Sequence, residues 1–143
     1  MGDAQLPPPP DPRMLPLLAT ITYGAGVIAL WGFVSLALDV DAIAQADAGP
    51  LLGPAIVLTA CLITFAALLR VRQRTSPTGP ALVAAASVYI GMLLVGAVGY
   101  TLVTADLSWF VLFIGAYATS PFVIGAALLA AVDVLVVWAL TRH

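Results

Sequence analysis

Four long apolar stretches constrain the fold of this chain more than any other feature. They occupy residues 14–38, 51–69, 81–103 and 109–140. About 20 helical residues at 1.5 Å each are needed to cross a hydrocarbon core of about 30 Å. An open sheet would leave unpaired backbone groups facing lipid, and the alternating pattern of a membrane barrel is missing. The sequence therefore predicts an all-α integral membrane protein built as a four-helix bundle.

The composition favours one membrane domain. Hydrophobic residues make up 62% of the 143 residues and charged residues 8%, against about 45–50% and about 25% in soluble domains. Once the apolar stretches are assigned to a bilayer, too little chain remains for a second core. We expect residues 14–143 to form a single transmembrane domain after a disordered, proline-rich cytoplasmic tail over residues 1–13.

The distribution of charge predicts the orientation. All the arginines fall on one side if the chain crosses four times: Arg13, Arg70, Arg72, Arg74 and Arg142. The loops on the other side carry aspartates and no base: Asp39, Asp41, Asp47 and Asp106. Because short cytoplasmic loops retain positive charge, both termini are predicted to be cytoplasmic. Lysine and asparagine, whose codons are AT-rich, are absent, so we expect a GC-rich bacterial genome and a location in the bacterial plasma (inner) membrane.

The arginines also suggest lipid contact. Arg70, Arg72 and Arg74 lie in one loop and Arg142 lies at the same side, where each base near the surface contributes about 1 kcal/mol to binding of anionic headgroups. Lipid-recognition patches usually hold about four to eight clustered bases. The smaller cluster favours a role in orientation alone, with headgroup binding as the alternative.

One proline interrupts the fourth stretch. Prolines elsewhere mark expected first turns, where a missing N–H is harmless: Pro16, Pro54 and Pro80. Pro121 lies within residues 109–140, and we favour one long helix, kinked there, with the freed carbonyl of Tyr117 satisfied by a neighbouring hydroxyl or water. The alternative is a new helix that Ser120 caps at Pro121, which leaves residues 107–118 as a separate re-entrant or surface piece.

Asp133 is a single carboxylate inside an apolar run. It lies seven residues before Leu140, about 10 Å inside the predicted boundary. Aspartate at the centre of a membrane helix costs about 2.5–3.5 kcal/mol, so we expect something to offset that cost. At helical spacing Asp133 shares a face with Ala130, Ala126 and Gly125, small residues that permit close helix approach. We predict that Asp133 points into a helix interface.

Hydroxyl-bearing side chains fall at about the same depth as Asp133, and no arginine, lysine or histidine is among them. The neutral, proton-donating form of the aspartate is therefore expected. We predict an intramembrane polar layer in which protonated Asp133 bonds to a hydroxyl such as that of Ser87 or Tyr89. Its members are Thr22, Tyr23, Thr64, Ser87, Tyr89 and Asp133. The alternative is that serine and threonine bond back to their own helices.

Missing residue types narrow the function. The sole histidine is His143 and the sole cysteine is Cys61, so no haem ligand pair, thiol pair or nucleophile–base pair can be assembled. No metal-ligand spacing, P-loop or dinucleotide fingerprint occurs. We predict no catalytic residues, no cofactor, no metal and no nucleic-acid partner.

Three interpretations of Asp133 follow. It faces a cation or hydroxyl on another protein's helix, it is the site of a small ion- or proton-coupled transporter that acts as a homo-oligomer, or it is purely structural. Small size, short loops and an apolar exterior favour the first interpretation. We therefore predict an accessory or assembly subunit of a larger membrane complex, whose partners are the lipid bilayer and either other membrane subunits or further copies of this chain.

Overall fold

A computed structural model describes residues 11, 13–71 and 73–142. These residues form five helices. They are α1 (Met14–Leu38), α2 (Leu52–Val71), α3 (Thr78–Thr104), α4 (Ser108–Tyr117) and α5 (Pro121–Leu140). No strand occurs in the described residues, so the prediction of an all-α fold is confirmed. The tail predicted over residues 1–13 lies outside the described residues except at positions 11 and 13, and Arg72 lies outside them as well.

Four of the helices, α1, α2, α3 and α5, are long and apolar enough to cross a membrane. At 1.5 Å per residue they measure about 30–40 Å. Large apolar side chains cover their outer faces, and Leu36, Leu102 and Leu128 are each more than half exposed. Such a surface suits lipid as the surrounding solvent. Helix α4, at about 15 Å, is long enough for only half a crossing.

A proline lies in the first turn of each of the four long helices, and Pro121 is the first residue of α5. Pro16, Pro54 and Pro80 each occupy the third residue of their helix. The first N–H groups of a helix have no intrahelical acceptor, so a proline there loses no hydrogen bond. The helix starts that the sequence predicts from these prolines therefore lie close to the observed ones.

Helix α3 is central in the packing. It contacts α2, α5 and α4, whereas α1 packs only on α5 and α2 among its substantial contacts. In the most apolar window of each long helix, 11% of the residues of α1 are buried, against 28% to 39% in the other three. Helix α1 therefore lies at the edge of the bundle and leaves most of its surface to its surroundings.

The two ends of the bundle differ in charge. The arginine end holds the start of α1, the α2–α3 loop and the end of α5, with Arg13, Arg70, Arg74 and Arg142. The aspartate end holds the α1–α2 and α3–α4 connections, with Asp39, Asp41, Asp47 and Asp106. The separation of charge that the sequence predicts for a chain crossing four times is therefore present in the described residues.

The fourth apolar stretch is two helices, where the sequence favoured a single kinked one. Ser120 leaves the helical conformation (φ −66°, ψ 130°) and caps α5, because a residue before proline is pushed out of the α region. The Ser120 hydroxyl accepts a hydrogen bond from the Phe122 N–H at 3.3 Å. The carbonyl of Tyr117 accepts one from the Ser120 N–H at 3.0 Å. The capped alternative is the one that the structure adopts.

The break lies at membrane depth. Ala118 contacts Tyr89, which lies about 16 Å along α3 from Thr78 in a helix of about 40 Å. Helix α4 runs back along α3 from the aspartate end, with Trp109 against Tyr100 at a ring-centroid distance of 5.3 Å. Helix α4 therefore precedes the spanning α5 as a half-length apolar helix, and we call the two together the discontinuous fourth span.

Candidate functional site

Asp133 lies on the face of α5 that packs against α1. Ala126, two turns earlier on the same face, accepts a hydrogen bond from the Tyr23 hydroxyl of α1 through its carbonyl at 3.0 Å. Gly125 faces Leu30 of α1. The Asp133 side chain is half-buried, and its Oδ2 is enclosed without a hydrogen-bond partner among the described residues. The carboxyl group therefore lies at the α1–α5 interface with an unused acceptor.

Three polar side chains, Asp133 among them, lie near Tyr23 where α1, α2 and α5 meet. The Tyr23 hydroxyl lies beside the Thr64 hydroxyl and within electrostatic range of Cys61 and Asp133. Thr64 is fully buried, and its hydroxyl makes no well-formed hydrogen bond in the described part of the chain. A Cβ on Gly24 would lie 3.0 Å from the Cys61 Sγ, so the thiol touches α1. We call Tyr23, Cys61, Thr64 and Asp133 the Tyr23 cluster.

The remaining members of the predicted polar layer lie elsewhere. Thr22 is exposed and donates to a carbonyl one turn earlier in its own helix at 3.0 Å. Ser87 lines a groove between α2 and α3, and the Tyr89 hydroxyl donates to the Ala118 carbonyl at 2.6 Å. The expected hydrogen bond from Asp133 to Ser87 or Tyr89 is not formed, because those side chains face α2 and the break, whereas Asp133 faces α1.

Tyr89 has a structural role that the sequence reasoning missed. The break between α4 and α5 frees the Ala118 carbonyl from helical hydrogen bonding, and Tyr89 supplies a donor from α3. An unsatisfied backbone group in the hydrocarbon region costs several kcal/mol, so irregular backbone persists there only when it is satisfied by the protein or by water. Counting residues along the helices did not predict this contact, because it places Tyr89 at the depth of Asp133, which is 12 residues from Pro121.

Two tyrosines hold the α1–α2 connection over the aspartate end, and no local sequence pattern predicts their contacts. The Tyr100 hydroxyl donates to Asp47 Oδ1 at 2.9 Å. The Tyr117 hydroxyl donates to Gln45 Oε1 at 2.7 Å and accepts from the Ala44 N–H at 2.8 Å. These partners are far apart in the chain, so only the folded arrangement reveals the contacts.

Asp106 organises the start of α4. Its Oδ1 accepts hydrogen bonds from the Ser108 N–H at 2.9 Å and from the Ser108 hydroxyl at 2.7 Å. Both bonds stabilise the charged carboxylate, and they hold the pKa of Asp106 below its ordinary value of 3.8. Asp106 therefore keeps its charge at the aspartate end in mildly acidic solution.

The described arginines near the α2–α3 loop have two kinds of surroundings. Arg142 donates to the carbonyls of Arg74 and Thr75 at 2.8 Å and 3.1 Å. Its guanidinium carbon also lies 4.6 Å from the centre of the Trp138 ring. Arg70 and Arg74 line the α2–α3 groove. Arg142 thus fastens the end of α5 to the loop, and the other two arginines face open space.

The chemistry available to the Tyr23 cluster is hydrogen bonding and proton exchange. It contains two hydroxyls, a thiol and a carboxyl group. Across residues 13–71 and 73–142, no group of three histidine, cysteine or acidic side chains lies close enough to hold a metal ion. The Asp133 Oδ2 and the buried Thr64 hydroxyl are therefore the two groups of this cluster with unused hydrogen-bonding capacity.

The fold defines a class: α-helical proteins with several helices long and apolar enough to span a membrane. Within that class, the chain belongs to a family of unknown function, DUF6121, whose model matches residues 12–143. No curated protein and no solved structure matches the chain. The family thus covers the whole bundle and adds no function to it.

Proposed function

We propose that this protein is an accessory or assembly subunit of a larger complex in the bacterial plasma membrane. The observation that carries the proposal is the enclosed Oδ2 of Asp133, which has no donor among the described residues. A buried acceptor without a partner costs about 1–3 kcal/mol, and more when it is charged. A hydroxyl or cation on a helix of another subunit would remove that cost.

The position of Asp133 supports a partner that docks beside α1. Helix α1 is the least buried of the spanning helices, so a shift of α1 that opens the enclosed Oδ2 of Asp133 to a neighbouring helix would break few contacts. A groove of about 830 Å³ also lies between α1 and α2, lined in part by Gly24, Ala25 and Cys61. Small residues of this kind permit close approach between membrane helices. The proposal assigns no catalysis, no cofactor and no nucleic-acid partner to the site.

The proposed orientation places the arginine end in the cytoplasm. The four described arginines lie there and the four aspartates of the connections lie at the other end. Short cytoplasmic loops retain positive charge. Both termini are then cytoplasmic, and a partner that meets Asp133 does so in the cytoplasmic half of the bilayer. Attaching a membrane-impermeant thiol reagent to single cysteines introduced at Gly49 and Thr75 in a Cys61→Ala background tests this orientation.

A pull-down with matched variants tests the subunit proposal. The full chain is tagged, expressed in its native membrane, extracted in mild detergent and weighed by native mass spectrometry. We expect a partner at fixed stoichiometry with the unmodified protein and an occupancy about 10-fold to 100-fold lower with Asp133→Leu, equivalent to about 1.4–2.8 kcal/mol. Asp133→Asn separates the partner types, because an amide still bonds to a hydroxyl but no longer pairs with a cation.

Val136→Leu is the control, since Val136 lies on the same helix and is 49% exposed. It should leave the partner in place. Recovery of the chain only by itself, or equal partner loss with Asp133→Leu and Val136→Leu, would contradict the subunit proposal.

The discontinuous fourth span favours a second candidate, a small ion- or proton-coupled transporter acting as a homo-oligomer. Substrate sites of many transporters lie where membrane helices are interrupted, and the fourth apolar stretch is interrupted between α4 and α5. Under this function, native mass spectrometry gives only homo-oligomers. Proteoliposomes loaded with a pH-sensitive dye then show proton movement that Asp133→Asn abolishes and Val136→Leu does not.

A further inference from the structure

A groove between α2 and α3 opens at the arginine end and does not involve the Tyr23 cluster. Its volume is about 600 Å³. Its walls are apolar, with Ile63 and Ala67 on α2 and Val83 on α3. Between Gly79 and Ser87, both of which line it, α3 rises about 12 Å. The groove therefore reaches from the bundle end into the depth at which acyl chains lie.

The mouth of the groove is positively charged. Arg70 and Arg74 line it, and no acidic residue is among its lining residues. Helix α3 begins at the mouth. Its first backbone hydrogen bond runs from the Ala81 N–H to the Pro77 carbonyl. A helix start carries a partial positive charge and exposes N–H groups. No atom lies within 4 Å of the position that a Cβ on Gly79 would take, so the helix start is accessible.

We infer that this groove binds one anionic phospholipid from the leaflet at the arginine end. The phosphate lies between the guanidinium groups of Arg70 and Arg74, beside the first turn of α3. An acyl chain follows the apolar wall toward Ser87. The occupant is a lipid because two guanidinium groups at the mouth match an anionic headgroup, while the apolar walls match an acyl chain in the same molecule. A zwitterionic lipid satisfies the walls but leaves part of the charge at the mouth unmatched.

Native mass spectrometry of the full chain with added lipid tests the headgroup. The protein is stripped of lipid in mild detergent and titrated with phosphatidylglycerol or with phosphatidylcholine. We expect one phosphatidylglycerol per chain, retained at least 10-fold more tightly than phosphatidylcholine. The double variant Arg70→Gln/Arg74→Gln should weaken retention about 30-fold, equivalent to about 2 kcal/mol at about 1 kcal/mol for each base.

Arg142→Gln is the matched charge control, because Arg142 bonds to backbone carbonyls and is not among the residues that line the groove. It should retain the lipid. Equal binding of the two lipids, or equal loss in the double variant and in Arg142→Gln, overturns the inference. Displacement of phosphatidylglycerol by inorganic phosphate at equal concentration also overturns it, since a free anion would then be the ligand.

A pair of tryptophan variants tests the acyl chain. Val83 and Leu82 are neighbours in α3 and are each 66% exposed, but only Val83 lines the groove. Val83→Trp should fill the groove and lower phosphatidylglycerol retention at least 5-fold, while Leu82→Trp should leave it unchanged. Circular dichroism checks that both variants keep their helices. Full retention by Val83→Trp shows that no acyl chain occupies the groove and overturns the inference.

Discussion

Replacing Tyr89 by phenylalanine tests how much the hydrogen bond from Tyr89 to the Ala118 carbonyl stabilises the break between α4 and α5. The substitution removes one oxygen and keeps the ring, so the Ala118 carbonyl loses the donor that it has at 2.6 Å. Both residues are half-buried, which limits replacement by water. Hydrogen bonds between membrane helices average about 0.6 kcal/mol with a maximum of about 1.7, and a buried group left unpaired costs about 1–3 kcal/mol. We expect Tyr89→Phe to lower the free energy of unfolding by about 1–2 kcal/mol.

The assay is reversible unfolding in mixed micelles, followed by helical circular dichroism and tryptophan fluorescence. Thr22→Val is the control. It also removes one hydroxyl hydrogen bond, but that bond is exposed and stays within α1. We expect its effect to stay within about 0.5 kcal/mol. Hydrogen exchange provides a second readout. The exchange rate of the first amides of α5 should rise in Tyr89→Phe and stay unchanged in Thr22→Val.

Two results would refute this reasoning. One is an unfolding free energy for Tyr89→Phe within about 0.5 kcal/mol of the unmodified protein, which would mean that the carbonyl does not need its donor. The other is an equal loss in Thr22→Val, which would mean that any hydroxyl in the spans has the same value.

Three further predictions concern helix packing, a helix end and a charge. Gly96→Ala should lower the free energy of unfolding by about 1–3 kcal/mol, because the new Cβ would lie 2.5 Å and 2.8 Å from ring atoms of Phe113. Gly115→Ala is the control and should be neutral or stabilising, because no atom lies within 4 Å of its new Cβ. Equal melting temperatures for the two variants would contradict this prediction. Ala105→Gly should raise the melting temperature slightly, because Ala105 ends α3 with a φ of 54° that glycine adopts without strain; a lower melting temperature would contradict this. The pKa of Asp106 measured by carboxyl NMR should lie below 3.8. Its hydrogen bonds to Ser108 therefore stabilise the fold fully above the unfolded-state pKa, and this stabilisation is lost as pH falls through the folded-state pKa. A measured pKa at or above 3.8 would contradict these hydrogen bonds.

Sequence reasoning predicted the helices well because length and hydropathy act locally. Residues 14–38 coincide with α1, and the third stretch lies within α3. Pro121 shows the limit of such rules. The local residues around Pro121 are compatible with either a kinked helix or a capped break. Which of the two forms depends in part on the hydrogen bond from Tyr89, which is distant in the chain.

The polar residues show a second limit. Counting residues along a helix gives the depth of a side chain in the bilayer, but it does not give the rotation of one helix relative to another. The predicted layer therefore combined residues of similar depth that face different neighbours. Tyr23 lies near both Thr64 and Asp133, whereas Ser87 and Tyr89 do not share the interface of Asp133. Tertiary packing sets that rotation, and a single sequence does not specify it.

The attachment of Arg142 has a consequence for behaviour in acid. Its partners are two main-chain carbonyls and an indole ring, none of which gains a proton in the physiological range. Ion pairs between arginine and a carboxylate dissolve when the carboxylate is neutralised. The contact between the end of α5 and the α2–α3 loop contains no carboxylate. Acidification that protonates carboxylates elsewhere in the protein should therefore leave this contact intact.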